Sequence, residues 1–281
     1  MRGAIPPPGP GERDTVVDGV RWRSREVEGK GEPLVFLHGL LASSASWQGA
    51  LAGCSGGRPA IAVDLPGFGC SDRPWPHDYT VAGQARSLLR FLDVRGIRRA
   101  VLVGNSLGGA LALYLAAEHP ERVAALVLVD PATPQGRIPW TVRLMRAPLV
   151  GEAALGLAFR PFVTVWLKRG LYARASRVTD REVDDAWRPL KIRGTRRAAL
   201  VAIRTDPSPY RGLEARVRLP TLVVWGERDR LLSARDADRV RSSIEGACLV
   251  LIPDAGHLPQ REQPEEFARA LARFLERLPA G

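Results

Sequence analysis

The sequence predicts an α/β fold: a mostly parallel, eight-stranded sheet flanked by helices, with a helical cap inserted after the sixth strand. Three observations lead there. Short β-rich apolar runs alternate with helical patterns along the 281 residues, as they do when parallel strands are joined by helical crossovers. Several of those runs, LVFL, AVLV, ALVLV and LVVW, are apolar throughout, the pattern of strands covered by helices on both faces. One stretch, from about Thr133 to Ser208, breaks the alternation and reads as helical, basic and rich in Trp and Pro.

Taken in order, Met1–Gly11 is rich in Pro and Gly and lacks the apolar segment of a secretory signal, so residues 1–13 are expected to form a flexible tail. Thr15–Val17 and Val20–Ser24 read as a hairpin turned at Asp18-Gly19. Further strands are expected at Pro33–Leu37, Ala60–Val63, Ala100–Val103, Val123–Val129, Thr221–Trp225 and Cys248–Ile252. The Ala/Leu-rich segment Leu107–Glu118 is helical and stops at His119-Pro120. Inside the inserted stretch, Thr179 and Glu182 have the spacing of a capping box. Val183, Ala186, Trp187 and Leu190 follow at helical intervals. Ser233–Ile244 opens on a serine cap, and a last helix starts at Pro264 with Phe267, Leu271, Phe274, Leu275 and Leu278 on one face. The expected organisation is therefore a core of residues 14–132 and 209–281, with residues 133–208 as a lid.

Composition narrows the function classes. With 45% hydrophobic and 25% charged residues the chain is neither disordered nor fibrous. It has no uninterrupted apolar run of about eighteen residues, so no transmembrane segment is expected. Three scattered cysteines, Cys54, Cys70 and Cys248, suit neither a disulfide framework nor a zinc site and point to a reducing, cytoplasmic setting. The net charge is +11, and its distribution is uneven. Between Arg137 and Arg218 there are 18 Lys and Arg against 7 Asp and Glu, which accounts for the whole excess. Arg137, Arg143 and Arg146 lie where the insertion begins, and Arg196-Arg197 open a helix. An anionic substrate, carrier or lipid is one reading of this charge, and a solvated Arg-rich face is the other. Nucleic acid is not expected, because the charges are not interleaved with a binding motif. The apolar run Leu149–Trp166, with Phe159 and Phe162, is expected to pack against its own fold or to wall an acyl pocket.

The chemistry centres on Gly104-Asn105-Ser106-Leu107-Gly108. This G-x-S-x-G string follows an apolar strand and opens a helix, the context that holds a serine Oγ exposed above a sheet edge. A serine hydroxyl needs a base to take its proton. Of the four histidines, His119 caps a helix and His77 sits in a Pro/Trp-rich loop, whereas His257 follows the last strand. Loops beyond strand C-termini line the ligand crevice of such sheets, which puts His257 on the edge that carries Ser106. A carboxylate on that edge should orient the imidazole; Asp229 is favoured, with Asp130 and Glu227 as rivals. The oxyanion donors are expected to be the backbone N–H groups of Leu107 and Leu40. His38, Gly39, Trp140, Trp166 and Leu258 are the expected substrate-contacting residues, His38 reading foremost as a brace of its own loop.

These features resemble the α/β-hydrolase superfamily from about Asp14 to Leu278. The resemblance rests on Phe36-Leu37-His38-Gly39, on Asp64-Leu65-Pro66-Gly67-Phe68-Gly69-Cys70-Ser71-Asp72 and on Gly104–Gly109. It continues through Trp225-Gly226-Glu227-Arg228-Asp229 and Gly256-His257 with Glu262, Pro264 and Phe267. It implies a Ser106–Asp229–His257 triad, an oxyanion hole from Leu40 and Leu107, a cap at 133–208, and no metal or organic cofactor. Serine at position 106 departs from the branches that use an aspartate nucleophile. Leu40-Leu41-Ala42-Ser43-Ser44 lacks the Ser-Gly-Pro-Gly run typical of carbon–carbon bond hydrolases. Esterases and lipases match better. The expected reaction is hydrolysis of a small-molecule carboxylic ester or thioester. An acyltransferase or lyase acting on an anionic or carrier-bound substrate, and a receptor-like binder with little turnover, are the alternatives.

Overall fold

The computed structural model describes residues 5–54, 56–133, 140–156 and 159–278. The strands are β1 (Glu12–Val17), β2 (Val20–Val27), β3 (Leu34–Leu37), β4 (Ala60–Val63), β5 (Ala100–Asn105), β6 (Val123–Val129), β7 (Thr221–Gly226) and β8 (Cys248–Ile252). They form one sheet in the order β1-β2-β4-β3-β5-β6-β7-β8. Antiparallel pairing is confined to β1 with β2 and β2 with β4, and every other pair is parallel. The β1–β2 turn has Asp18 at φ 49° and Gly19 at φ 77°, the double positive φ that a tight two-residue hairpin demands.

Among the described residues the α-helices are α1 (Gln48–Cys54), α2 (Val81–Val94), α3 (Leu107–Glu118), α4 (Trp140–Arg146), α5 (Val150–Gly156), α6 (Arg160–Trp166), α7 (Asp180–Leu190), α8 (Thr195–Arg204), α9 (Ala237–Ser243), α10 (Pro259–Glu262) and α11 (Pro264–Leu275). Because side chains alternate along a strand, the apolar runs feed two layers at once. Leu34, Phe36, Val101, Val103, Val127 and Val129 pack toward Trp47, Phe267 and Leu271 of the α1/α11 layer. Val35, Leu37, Leu102, Leu126 and Leu128 pack toward Leu88, Phe91, Leu111, Leu115 and Val240 of α2, α3 and α9. Both faces are buried, hence the absence of alternation in the sequence.

Helices α4 to α8 lie between β6 and β7. A third cluster, Val163, Leu167, Leu171, Tyr172, Val178, Val183 and Leu190, holds part of this insertion together and meets the core at Leu258.

The structure departs from expectation in several places. Glu12 and Arg13, expected in the tail, belong to β1. The carbonyls of Pro6 and Pro7 accept hydrogen bonds from the buried Arg23 guanidinium, which ties this part of the tail to the sheet. Ser233–Ile244 is a single 3₁₀ turn followed by α9, and Ser233 Oγ accepts from Arg235 N–H at 3.3 Å. The capping box is half formed: Thr179 Oγ1 accepts from Glu182 N–H at 3.3 Å, but the Glu182 carboxylate turns to Tyr172 and Arg261. Arg137 lies outside the described residues. The run Leu149–Trp166 packs inward only through residues such as Leu155 and Val163. Leu149, Phe159, Phe162 and Val165 are 81%, 56%, 50% and 51% exposed.

Phe267 is fully buried, with its ring centroid 5.9 Å from that of Trp47. Replacing it by alanine should lower unfolding free energy by about 3–5 kcal/mol in urea titration, because the rigid α1/α11 layer cannot collapse onto the void.

Candidate active site

At the end of β5 the chain turns from strand to helix through Ser106, whose backbone sits at φ 53° and ψ −114°. A non-glycine residue there is strained, so the surroundings must hold it. Ser106 N–H donates to Val129 O at 3.0 Å, and Ser106 O accepts from Ala110 N–H and Ala132 N–H, both at 3.0 Å. The turn closes only because side chains are missing around it. A Cβ on Gly104 would stand 2.2 Å from Gly108 O, and one on Gly108 would stand 2.2 Å from Leu37 O.

His257 follows β8. Its Nδ1 lies 2.8 Å from Asp229 Oδ2, so the ring donates there and leaves Nε2 as the basic atom. Asp229 Oδ1 accepts from the N–H groups of Leu231 (2.7 Å) and Leu232 (3.0 Å), which fixes the carboxylate against rotation. Of the rivals, Glu227 is exposed. Asp130 is fully buried and lies beside Asp229, where its Oδ1 accepts from Gly226 N–H at 2.9 Å. Burial, and then the charge of Asp229, push the Asp130 carboxyl well above its ordinary value of 3.8. Burial beside Asp229 therefore favours its neutral form, and its Oδ2, which has no hydrogen-bond partner, is the oxygen that suits a proton.

The loop carrying His257 is stapled to the insertion. After α6 the chain continues through a π-helical turn, Leu167–Leu171, and Leu171 O accepts from His257 N–H at 2.7 Å. Glu262 accepts from Gly256 N–H at 2.7 Å and from Ala173 N–H at 2.8 Å. Asn105, beside Ser106 in sequence, donates from Nδ2 to His257 O and Val129 O, each at 3.1 Å.

A cavity of about 950 Å³ opens over these groups, and Ser106, His257, Leu40 and Leu107 all face it. Leu107 N–H is in the first turn of α3, where a helix has no acceptor of its own. Gly39, Trp140, Trp166 and Leu258 also line it. Most of the wall is apolar, with Leu41, Leu113, Val163 and Leu190 contributing. One polar corner joins Arg261 to Glu182 and Asp185 (the latter at 2.9 Å), with Tyr172 O–H donating to Glu182.

His38 is the expected substrate contact that fails. It is fully buried, away from the cavity, and both ring nitrogens are engaged. Leu65 N–H donates to Nε2 at 3.1 Å and Nδ1 donates to Gly39 O at 2.7 Å. Burial pushes its pKa down, so a neutral His38 braces the loop before Leu40. His77 packs against Tyr79 with ring centroids 4.7 Å apart, and His119 pairs with Glu121 at the end of α3.

Among the described residues, Asp130, Asp229 and His257 are the group with metal-ligand spacing, their ligand atoms within 4.8 Å of one another. The hydrogen bond between His257 and Asp229 accounts for the closeness of two of the three.

The profile of the α/β-hydrolase fold family matches residues 32–264. The chain belongs to this family. Similar proteins include a putative carbamate hydrolase RutD from Variovorax paradoxus, 32% identical over 91% of this chain and 96% of its own. Lipase 1 of Psychrobacter immobilis is 29% identical over 85% of this chain and 75% of its own. The crystal structure of Cfl2 from Burkholderia cenocepacia superposes with a TM-score of 0.85 at 28% identity, covering 94% of this chain and 95% of the other.

In this α/β hydrolase no local pattern marks the bonds of Asn105 or the Arg261–Glu182–Asp185 corner, whose partners lie far apart in the chain. Glu262 was visible as part of a motif but not as the clamp between Gly256 and Ala173.

Because the folded pKa of Asp130 is raised, it favours folding fully below 3.8, and that contribution is lost as pH rises through the folded value. Asp130→Asn should flatten this alkaline loss of stability in melting curves recorded across pH. A wild type and variant that differ equally at every pH would mean that Asp130 is ionised in the fold.

Proposed function

We propose that this α/β hydrolase cleaves a carboxylic ester or thioester through an acyl-enzyme on Ser106. The observation that carries the reading is the His257–Asp229 hydrogen bond of 2.8 Å on the cavity that Ser106 also faces. His257 Nε2 takes the proton of Ser106 as Oγ attacks the carbonyl carbon. The N–H groups of Leu40 and Leu107 receive the charge that develops on the carbonyl oxygen. His257 then delivers its proton to the departing alcohol or thiol, and the same nitrogen activates water to release the acid. Asp229 holds the imidazole in the required tautomer and stabilises its cation.

The helices between β6 and β7 act in this reading as the cap that shapes the substrate. Their apolar wall suits an acyl chain, and the lipase among the relatives acts on bonds of this kind by name. His38 belongs to the scaffold, and Gly39, Trp166 and Leu258 to the substrate wall.

Ser106→Ala and His257→Ala should each lower the rate on p-nitrophenyl acyl esters by about 10⁴-fold or more, with Asp229→Ala falling less. A fluorophosphonate probe read by intact mass should add once to the wild type and not to Ser106→Ala. Equal turnover by wild type and Ser106→Ala would end the proposal.

A further inference from the structure

Helix α6 is apolar on two sides. Val163 and the following Leu167 point inward, at 3% exposure each, while Phe159, Phe162 and Val165 point outward, all at least half exposed. A helix apolar around its circumference is ordinarily buried, so the outer side of α6 lacks an occupant. The neighbouring helices extend the same surface. Trp140 and Leu144 of α4 are 75% and 53% exposed, and Leu149 at the start of α5 is 81% exposed. Trp140, Leu144, Phe162 and Val165 also line the cavity. Residues that face both cavity and solvent form its rim, so this apolar surface surrounds the mouth.

The charge around it is positive. Arg143 and Lys168 stand on α4 and just after α6, and Arg146 and Arg169 line the cavity itself. The nearby carboxylates already have partners: Glu152 pairs with Arg204, and Asp180 and Asp184 pair with Arg160 at the start of α6, which leaves Arg143 and Lys168 in excess. The segment from Arg137 to Arg218 carries the entire net +11 of the chain. A second copy of this chain would set two faces of the same sign against each other, whereas a negative surface is complementary. Among the described residues no single helix is long and apolar enough to cross a bilayer.

We propose that the mouth of the cavity, formed by α4, the start of α5 and α6, docks on an anionic lipid surface. Phe159, Phe162, Val165, Leu149 and Trp140 enter the boundary between headgroups and acyl chains while Arg143 and Lys168 meet the phosphates, the arrangement of an interfacial helix. The cavity then opens toward the lipid instead of toward water. Docking of this kind needs no turnover, so it stands or falls separately from the ester chemistry.

The test is co-sedimentation of the full chain, as Ser106→Ala, with vesicles of phosphatidylcholine alone or mixed with phosphatidylglycerol. The protein should partition onto the mixed vesicles and be released by molar salt. Each basic residue at the surface contributes about fivefold to partitioning, so Arg143→Glu with Lys168→Glu should weaken it by about 25-fold or more. Leu149→Ser with Phe159→Ser, two residues outside the cavity wall, should abolish it. Both double variants in the Ser106 background should retain wild-type hydrolysis of a short soluble ester, which shows that they fold. Equal partitioning onto both vesicle types, partitioning unchanged in either double variant, or no partitioning at all would overturn the proposal. So would concentration-dependent dimerisation that Leu149→Ser with Phe159→Ser abolishes, which would make a second copy the occupant.

Discussion

The close approach of α3 to the sheet sets the rest of the site. Gly104 and Gly108 let helix and strands come together at distances where a single methyl group would collide with a backbone carbonyl. Ser106 is forced into a left-handed conformation as the chain reverses between them. The strain, of order 1–3 kcal/mol at such positions, is held by Val129, Ala110 and Ala132 acting on one residue's N–H and C=O. Gly39 belongs to the same constraint: a Cβ there would lie 3.2 Å from Ser106 Cβ. The loop that brings Leu40 to the cavity therefore fits only because of the same economy of side chains, and neutral His38 fixes it from behind.

The opposite wall follows a different logic, that of charge. Two aspartates buried side by side would repel if both were ionised. Burial beside Asp229 favours the neutral form of Asp130, which relieves that repulsion and leaves Asp229 as the partner of the imidazole. Placement of the ring depends on the insertion as much as on the core, since Leu171 O binds His257 N–H and Ala173 N–H binds Glu262. Gly256 permits this contact, because a Cβ there would stand 2.3 Å from Leu171 O.

Strands β3 to β7 were legible because burial on both faces writes itself into a sequence as uninterrupted apolar runs such as LVFL and AVLV, whereas β1 and β2 show through their Asp18-Gly19 turn. The turn at Ser106 was legible because glycine spacing records steric necessity directly. What escaped depended on contacts between distant segments. Asn105 meets His257 across 152 positions, and Glu262 meets Ala173 across 89. His38 shows the limit most plainly, since a histidine beside a reactive loop and a histidine beneath it have the same local sequence. Helix α1 is seven residues long with two glycines and carries little local signal, whereas α2 has a regular stripe of Ala85, Leu88 and Leu92 that periodicity could have found.

One continuous segment links the outer surface to His257. Phe162 and Val165 stand on α6 and Phe159 just before it, and the helix runs without interruption into the π-helical turn that ends at Leu171. The carbonyl of Leu171 fixes the backbone of His257. The inner side of the same helix, through Val163 and Leu167, packs with Leu258, the residue after His257. A helix with both sides apolar carries a solubility cost when one side faces water, and the concentrated positive charge around it offsets that cost by keeping like molecules apart. The same charge selects what can cover the exposed side. The segment that follows α6 meets the His257 loop through the Leu171 hydrogen bond, the packing on Leu258 and the bond from Ala173 N–H to Glu262. Glu262 ties Gly256 of that loop to Ala173 of the same segment. The position of His257 is thus set jointly by the core and by the segment that follows a surface helix with an exposed apolar side.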